Sequence, residues 1–531
     1  MYVIVYDFGT SSVKACLFSV GSKIEIVAKS TEAYGLYVLK NGGVEQDVEE
    51  WWQAICTSTR RLFCKVDVRP EEVRGLAFCA QMQSMILVDN KGNALRRSMN
   101  YLDQRGIKEF GDCMGRGVIK ISGCSLYKLA RNLMVNYAGS VSVKDPVWKY
   151  KWVQNNEPEI FDKTYSWLDV NDYLVGRCTG RIVRTADSAF ATFLYDTRKG
   201  KEGWNKGLLR MYGVRPEHLP PIVKCTEQVG GLTEEAALDL GLVAGTLVFA
   251  GGGDATFINI GAGCTKPGET HIYVGTSGWV STCLDYQAVD LGAMITGVLS
   301  AKRGYYNYYA ELGTAGKCLE WAAEHLALDE LGIYDEGSAT DGAADRPADL
   351  FDRLLVAASK APAGANGVIF TPWLHGNRCP FEDAAAAGMF FNIKIGTSKN
   401  DLVRAVIEGV CYHLRWLLEC EAAKVPTSDP VRFVGGGALS PFMCQTLADI
   451  TGRTVETIHN TQEVGAVGTA LVVAAGLKGA DVSDLSQQLV TVRHTYVPSP
   501  ANEEAYERNY RVFRKLYKTN AKSFKRMNAG M

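Results

Sequence analysis

The sequence is constrained most strongly by two short apolar runs that each end in a turn of glycine and hydroxyl residues. The run at 3–6 leads into the letters DFGTSS, and the run at 271–274 leads into GTSG. The first glycine turn consists of Gly9, Thr10, Ser11 and Ser12, and the second consists of Gly275, Thr276, Ser277 and Gly278. A short apolar run stopped by glycine is typical of a buried strand that ends at a loop. This weak internal repeat predicts two similar halves that face one ligand.

Both glycine turns are candidates for anion binding. Hydroxyl residues between glycines can present several backbone N–H groups to one anion, and glycine lets the backbone come close to it. Asp7 stands just before the first turn. It would face a metal-bound phosphate there, or else satisfy the N–H groups of its own turn.

A third apolar run, at 247–250, ends in three glycines followed by Asp254. A carboxylate at the point where a strand opens is a candidate general base. The simpler interpretation is a tight strand turn with a solvated aspartate, and the motif alone leaves both interpretations open.

Other polar and glycine positions follow later strands. Gln81, Gln83, Asp103 and Arg105 are of the type that reads sugar hydroxyls, although each could equally be a surface or capping group. The glycine run at 435–437 precedes a helix predicted to begin near Pro441. Such a turn can pass close to the base and ribose of a nucleotide, or it can simply pack a helix on a strand.

Several helices are predicted from local signals. Asp47 is a candidate N-cap, with Glu50 three residues later to close a capping box. Apolar residues at helical spacing predict a core helix over 399–423, in which His413 is structural. The acidic stretch 329–352 is interpreted as a solvated loop or flexible insertion.

Composition excludes several classes of protein. The chain has 531 residues, 47% hydrophobic and 22% charged, with a net charge of −1. This composition predicts a globular chain of two or more domains, without a nucleic-acid-binding surface. No run reaches the ~18 apolar residues that a membrane span needs, and no leader segment is evident. The fifteen cysteines lack CxxC spacing, so free thiols in a cytoplasmic protein without a structural metal are expected.

An ordered series of motifs resembles the FGGY carbohydrate kinases, which belong to the actin-like, ribonuclease H-like ATPase superfamily. The motifs are DFGTSS, VEQDVEEWW, NNEPEIFDKTYSWLDVNDYLVGRCTG, GGGDA, YVGTSG, GVIFTPWLHGNRCP, RAVIEGVCYHLRWLLE and FVGGGALSPFMCQTLADITGRTVE. A single glycine turn is unspecific, but this ordered series runs through most of the chain. Within the family, the sequence looks most like the xylulokinase-type branch that acts on pentuloses.

The resemblance implies an α/β fold of two actin-like domains around a central cleft, over residues 1–257 and 258–531. It implies ATP-dependent phosphorylation of a small sugar, with ATP and Mg²⁺ as cofactors. Asp254 would be the catalytic base, Asp7 would orient the metal, and the two glycine turns would hold the phosphates. The residues that match the nucleotide pocket are Gly316, Gly436, Gly437 and Pro441. The residues that match the sugar site are Gln81, Met82, Gln83, Asp103 and Asp254.

Two departures from the family's pattern leave alternatives open. Xylulokinase-like members usually have Met-His where this chain has Met82 and Gln83, so gluconate, ribulose, erythritol, erythrulose or glycerol are alternative substrates. The segment 127–147 is also longer than usual. A non-catalytic ATP-binding relative of actin is the remaining alternative. The full set of sugar-side residues argues against it. The sequence leaves the oligomeric state open, with a homodimer among the alternatives.

Overall fold

Two β-sheets organise the chain, one formed by its first half and one by its second. The computed structural model describes residues 1–121, 123–327 and 349–528. The strands of the first half are β1 (Tyr2–Phe8), β2 (Ser12–Val20), β3 (Ile24–Ala33), β4 (Tyr37–Val38), β5 (Val44–Gln46), β6 (Val73–Ala80), β7 (Ile86–Val88), β8 (Ser98–Met99), β9 (Lys120–Ile121), β10 (Cys124–Ser125), β11 (Ser166–Leu168), β12 (Arg184–Thr185), β13 (Tyr195–Asp196), β14 (Gly203–Trp204), β15 (Ile222–Val223), β16 (Gln228–Gly231), β17 (Leu247–Phe249) and β18 (Gly252–Gly253). Those of the second half are β19 (Thr270–Val274), β20 (Gly278–Leu284), β21 (Val289–Asp290), β22 (Ile295–Leu299), β23 (Tyr306–Leu312), β24 (Ile369–Thr371), β25 (Met389–Phe391), β26 (Val431–Val434), β27 (Val455–Ile458) and β28 (Val492–Tyr496).

Helices flank both sheets. They are α1 (Val48–Phe63), α2 (Ile107–Met114), α3 (Leu126–Asn136), α4 (Pro146–Asn156), α5 (Pro158–Lys163), α6 (Val170–Thr179), α7 (Ala186–Phe190), α8 (Lys206–Tyr212), α9 (Glu234–Leu240), α10 (Asp254–Gly261), α11 (Gly316–Ala322), α12 (Asp349–Ser359), α13 (Lys399–Ala422), α14 (Pro441–Thr451), α15 (Val464–Lys478), α16 (Val482–Leu489) and α17 (Pro500–Met527).

The first sheet has the strand order β16-β17-β6-β1-β2-β3. Strands β1, β2 and β3 form an antiparallel meander, whereas β6 runs parallel to β1 and β17 runs parallel to β6. The central strand β1 is almost entirely buried along Val3, Ile4 and Val5. Burial on both faces explains why its sequence is a continuous apolar run and not an alternating one.

The second sheet has the order β21-β22-β23-β20-β19-β26-β27-β28. Its strands β19, β20 and β23 are again an antiparallel meander, and β26 and β27 run parallel to β19. The five central strands of the two sheets therefore share one order and one set of directions. This finding confirms the internal repeat predicted from the two glycine turns.

Helices α10 and α15 join the two halves. Residues of α15 form one core cluster with the first sheet, which also includes Phe257 and Ile260 of α10. Ile258 of α10 and Val464 of α15 belong to another cluster with residues of the second sheet. The two helices cross at glycines, because a Cβ on Gly261 would lie 1.9 Å from the Val464 carbonyl oxygen. A Cβ on Gly468 would lie 2.1 Å from the Phe257 carbonyl oxygen. The predicted domain boundary between 257 and 258 falls inside α10, and it stays a prediction.

The helix predictions have mixed outcomes. Asp47 is the N-cap of α1, but it accepts from the Glu49 backbone N–H, and Glu50 closes no capping box. The capping-box prediction is wrong because the Glu50 carboxylate accepts from the Gly35 backbone N–H at 2.8 Å, outside the helix. The core helix over 399–423 is confirmed as α13.

The remaining local predictions concern His413, the cysteines, membrane spans and the acidic stretch. His413 is buried and structural, because its Nδ1 accepts from the Trp373 indole at 3.2 Å. The fifteen cysteines are free thiols, as expected. In the described ranges, no helix has the length and apolarity to cross a bilayer. Most of the acidic stretch 329–352 lies outside the described residues.

Candidate active site

The first glycine turn joins β1 to β2 and has its carbonyl groups tied to the protein. The Gly9 N–H donates to the Ser12 carbonyl at 3.0 Å, and the Gln46 side chain donates to the Thr10 carbonyl at 2.7 Å. The backbone N–H groups of Thr10 and Ser11 have no acceptor among the described residues. The turn therefore leaves two neighbouring N–H groups free to bind an anion.

The second glycine turn joins β19 to β20 and repeats this arrangement. The Gly275 N–H donates to the Ser277 carbonyl at 2.9 Å. The start of α11 holds the turn from the other side, since Gly316 N–H donates to the Gly275 carbonyl at 2.9 Å and Lys317 N–H to the Thr276 carbonyl at 3.0 Å. Within the described ranges, the N–H groups of Thr276 and Ser277 have no acceptor. Each half of the molecule thus offers one pair of free N–H groups.

Close backbone approach explains two glycines of this region. A Cβ on Gly316 would lie 2.3 Å from the Gly275 carbonyl oxygen, and a Cβ on Gly437 would lie 2.8 Å from the Cβ of Val274. Gly437 follows β26 and therefore packs on the strand that leads into the second turn. Gly436 and Pro441 are exposed beside it. The structure thus brings Gly316 and Gly437 into contact with the second turn or its strand. Gly436 and Pro441 lie close to Gly437 in the chain.

Asp254 is the first residue of α10 and follows directly on β18. Its Oδ1 accepts from the Ala255 N–H at 2.7 Å, and its side chain is exposed to solvent in the cleft. The protein around the cleft nevertheless desolvates the carboxylate and raises the pKa of Asp254 to about 6, with the charges of Asp7 and Glu311 adding to the shift. A carboxylate with this pKa is mostly ionised at neutral pH and can accept a proton.

The backbone around Asp254 is fixed by a second aspartate. Asp187 is buried, and its Oδ2 accepts from the Gly253 N–H at 2.7 Å and from the Thr256 hydroxyl at 2.9 Å. Gly252 has no room for a side chain, because a Cβ there would lie 2.6 Å from that same carboxylate oxygen. Asp187 therefore explains part of the glycine run before Asp254.

Asp7 lies near the end of β1, opposite Lys14 of β2 and Cys79 of β6. Desolvation raises the pKa of Asp7, and the charge of Lys14 opposes the shift. The carboxylate has no hydrogen-bond or ion-pair partner among the residues that the structure describes. An unpaired, desolvated carboxylate is the kind of group that binds a cation.

Of the sugar-side residues, Gln81 and Asp103 are buried. The Gln81 amide donates to the Gln46 side chain at 2.8 Å, and Gln46 in turn holds the first glycine turn. The Asp103 carboxylate accepts from Arg105 Nη2 at 2.7 Å and from the Val44 N–H at 2.9 Å. Both side chains therefore have protein partners, and their direct contact with a sugar stays a prediction.

Met82 lies against the residue before Asp254, and Gln83 follows Met82 in the chain. A Cβ on Gly253 would lie 2.1 Å from the Met82 sulfur, so Met82 packs on the residue before Asp254. Gln83 is half-buried with φ 65°, a conformation that costs a residue with a Cβ about 1–2 kcal/mol. No described residue accepts from or donates to its side-chain amide.

Sequence reasoning missed the buried charged residues behind the site: Lys149, Asp169 and Asp187. The Lys149 Nζ donates to the Gln83 carbonyl at 2.7 Å, and Asp169 accepts from the Gln83 N–H at 2.8 Å. Asp169 had a local signal, since it is the N-cap of α6 with Asp172 three residues later in a capping box. Lys149 and Asp187 stand inside ordinary helical sequence and had none.

A separate pocket of about 510 Å³ lies between α1, α6 and α9. It contains none of the predicted site residues. Some of its charges pair with each other, as in the hydrogen bond of 2.8 Å between Arg177 and Glu49. The pocket is therefore distinct from the candidate active site.

Two equivalent sheets that each present a strand turn to one cleft define the actin-like, ribonuclease H-like class of ATPases. The crystal structure of a ligand-bound xylulose kinase from Lactobacillus acidophilus has this fold, with a TM-score of 0.83 at 23% identity over 99% of each chain. Within that class, the chain belongs to the FGGY family of carbohydrate kinases. It matches the N-terminal domain of the family over 2–261 and the C-terminal domain over 271–477. The protein is therefore a sugar kinase, of a family that uses ATP.

Relatives with different substrates match over almost the whole chain. The xylulose kinase of Bacillus subtilis is 26% identical over 518 residues, which are 97% of this chain and 96% of that protein. The gluconokinase of the same organism is 27% identical over 516 residues, 94% of this chain and 93% of that protein.

Proposed function

We propose that the protein transfers the γ-phosphoryl group of ATP to a hydroxyl of a pentulose such as xylulose. The observation that supports this most directly is the position of Asp254. It begins α10 with an accessible carboxylate whose pKa is raised to about 6, at the edge of the sheet whose first turn offers free N–H groups. Relatives that are xylulose kinases match 97% of the chain.

In this proposal, Asp254 accepts the proton of the attacking hydroxyl as the new bond from oxygen to the γ-phosphorus forms. The bond between the γ-phosphorus and the bridging oxygen of the β-phosphate breaks, and ADP leaves. The free N–H groups of the two turns, at Thr10 and Ser11 and at Thr276 and Ser277, hold the oxygens of the β- and γ-phosphates. Phosphoryl transfer depends mainly on such positioning and on charge stabilisation. Gly316, Gly436, Gly437 and Pro441 form the nucleotide pocket, and Gln81, Met82, Gln83 and Asp103 form the sugar side.

Mg²⁺ is the metal that the family implies, and the donors present here fit it. Mg²⁺ keeps several of its waters and takes one or two carboxylates plus phosphate oxygens. Asp7 supplies one unpaired carboxylate. Over the described ranges, no group of three or more His, Cys, Asp and Glu side chains could form a metal cage, which agrees with such a site. When bound, the ion would neutralise charge on the phosphates, and Asp7 would orient it through water.

Gluconate is the second candidate substrate. A gluconokinase is as similar to this chain as the xylulose kinases are. Gln83 also stands where xylulokinase-type members usually have histidine.

A coupled ADP-release assay over xylulose, ribulose, erythrulose, gluconate and glycerol tests the proposal. Xylulose is expected to give the highest kcat/KM. A preference for gluconate or a polyol would overturn the pentulose assignment and leave the kinase activity intact. The variant Gln83→His is expected to raise the preference for xylulose over gluconate by about tenfold or more, since a polar group fitted to one hydroxyl pattern is left unpaired by another.

A further inference from the structure

The backbone of Gln83, the residue after Met82, is held in an unusual conformation. Its φ is 65°, in the left-handed region that glycine, asparagine and aspartate adopt far more readily than glutamine. A residue with a Cβ stays there only when its surroundings hold it. The groups that hold Gln83 therefore decide where its side chain points.

Three hydrogen bonds from buried side chains hold this backbone. Asp169, at the start of α6, accepts from the N–H of Gln83 at 2.8 Å and from the N–H of Ser84 at 3.0 Å. From the other side, the Lys149 Nζ in α4 donates to the Gln83 carbonyl at 2.7 Å. Lys149 and Asp169 are both buried, Lys149 with no exposed surface. We call this pair the backbone clamp.

Lys149 is an unusual residue for such a place. The Gln83 carbonyl is the only hydrogen-bond acceptor that the ammonium finds among the described residues. Desolvation lowers the pKa of Lys149 to about 8, and the charges of Asp103, Asp145 and Asp169 oppose that shift. A buried charge with a single acceptor is costly, and a neutral side chain would pack there more easily. The presence of a lysine at this buried position indicates a role for its charge or its N–H donor. It either neutralises the three carboxylates or holds Gln83.

We propose that Lys149 is a positioning residue for sugar selection, acting through the backbone of Gln83; the proposal rests on the sugar kinase function proposed above. The Gln83 main chain is fixed by the clamp, whereas its half-buried amide has no partner among the described residues. The neighbouring Met82 packs on Gly253, directly before Asp254. In the proposed site, the clamp thus fixes the backbone that carries this free donor and acceptor group, one residue after Met82.

A double-mutant cycle tests this role. Lys149→Met removes the donor and the charge, and Gln83→Ala removes the amide that the clamp positions. Lys149→Met is expected to raise the KM of the preferred sugar about tenfold or more, with the KM of MgATP changed less than about twofold. In the Gln83→Ala background, the same substitution should change the sugar KM less than about twofold. An equal rise in both backgrounds, or a parallel rise in both KM values, would overturn the proposal.

A matched control comes from the same helix. Lys151 lies two residues further along α4 and donates to the Gln154 side chain instead. Lys151→Met is expected to leave the sugar KM at the wild-type value. A rise as large as that of Lys149→Met would mean that the packing of α4 is responsible, and the proposal would be wrong. If Lys149→Met does not fold, Lys149→Ala replaces it in the cycle with the same expected outcomes.

A readout independent of activity separates this proposal from the proposed function. In a crystal structure of Lys149→Met or Lys149→Ala, Gln83 is expected to leave the left-handed region, and an unchanged φ would overturn the clamp. If the wild type phosphorylates none of the sugars in the panel, the proposed function fails. The φ of Gln83 in the variant still decides whether Lys149 holds it.

Discussion

At the scale of single residues, Asp254 supplies the sharpest test of the mechanism. Asp254→Asn keeps the shape of the side chain but removes the proton acceptor. The kcat is expected to fall by about 10²–10⁴-fold, while the KM of MgATP changes less than about twofold, because the nucleotide is bound by other groups. Steady-state kinetics with the preferred sugar measure both values.

Glu311→Gln is the matched control for this substitution. Glu311 is a neighbouring carboxylate whose charge acts on Asp254, but it is paired with Arg378 at 3.0 Å. Its kcat is expected to fall less than about fivefold. If Asp254→Asn retains more than half of the wild-type kcat, Asp254 is not the base.

The pH dependence follows from the same residue. Asp254 must be ionised to accept a proton, and its pKa is raised to about 6. We therefore expect kcat/KM to rise with pH through about 6 and to level off above it, since this ratio reports the free enzyme. Glu311→Gln should move the rise to lower pH, because the negative charge of Glu311 helps to raise the pKa of Asp254. A profile that is flat between about pH 5 and pH 7 contradicts the assignment.

Residues whose role depends on the local chain could be predicted from sequence. Asp254 and the two glycine turns follow apolar runs directly, so the pattern of strand and turn placed them. Lys149 and Asp169 act on Gln83 from 66 and 86 positions further along the chain. Only the tertiary fold brings them together, and no spacing in the sequence records that contact.

At the scale of elements, the crossing of α10 and α15 depends on Gly468. A Cβ there would lie 2.1 Å from the Phe257 carbonyl oxygen, and backbone cannot move aside easily. Gly468→Ala is expected to lower the free energy of unfolding by about 1–3 kcal/mol or more. Denaturant titration of the purified variant measures the change.

Gly465→Ala controls for the glycine substitution itself. It lies on the same helix, and its Cβ would lie 3.4 Å from the Cys79 sulfur, an ordinary contact. Because alanine favours the helix by about 1 kcal/mol, this variant should be as stable as the wild type or more so. Equal destabilisation by both variants would show that the helix crossing is not the cause.

Helix α13 carries a second testable element, the buried Glu421. The only described hydrogen bond of its carboxylate is from the Thr282 hydroxyl at 2.7 Å, and burial raises the pKa of Glu421 well above the ordinary 4.5. The folded state therefore keeps this proton at a pH where the unfolded state has lost it. The free energy of unfolding contributed by Glu421 falls as pH rises from the unfolded pKa towards the folded pKa.

Glu421→Gln should make the free energy of unfolding depend less steeply on pH between about pH 5 and pH 8, because glutamine does not titrate. Urea unfolding at several pH values measures the slope. Glu419→Gln provides the same substitution at a more exposed position, where Glu419 pairs with Arg514 at 2.7 Å, and it should keep the wild-type slope. An unchanged slope in Glu421→Gln would mean that Glu421 is ionised in the folded protein.

At the scale of the whole molecule, the two pairs of free N–H groups lie on different sheets. Since the proposed mechanism binds one triphosphate from both halves, we expect the halves to approach each other when ligands bind, which also expels water that would otherwise hydrolyse ATP. Small-angle scattering is expected to show a smaller radius of gyration with sugar plus a non-hydrolysable ATP analogue than without ligands. Asp254→Asn should close in the same way. An unchanged radius under saturating ligands would show a rigid cleft.

The two-fold architecture was predictable because each half repeats the same strand and turn signals. The packing of α10 and α15 against both sheets was not predictable. Helix α15 has apolar residues on all sides, as in Ala470, Leu471 and Val472, so its sequence predicts burial without saying against which sheet. The segment 127–147, which is predicted to be longer than is usual in the family, contains most of α3. It also contacts the second half, as in the hydrogen bond from the Thr296 hydroxyl to the Tyr137 carbonyl at 2.8 Å.

The packing of α15 on the first sheet also has a consequence for how the chain is made. Val3, Val5, Phe18 and Phe249 form a buried face that α15 covers. Between Phe249 and Val464 the ribosome adds roughly 200 residues, which takes roughly 10–40 s at synthesis rates of about 5–20 residues per second. During that interval the first sheet is complete but its apolar face is bare. We therefore expect the nascent chain to need protection by chaperones until α15 emerges near the end of synthesis, and we expect a chain truncated before α15 to aggregate.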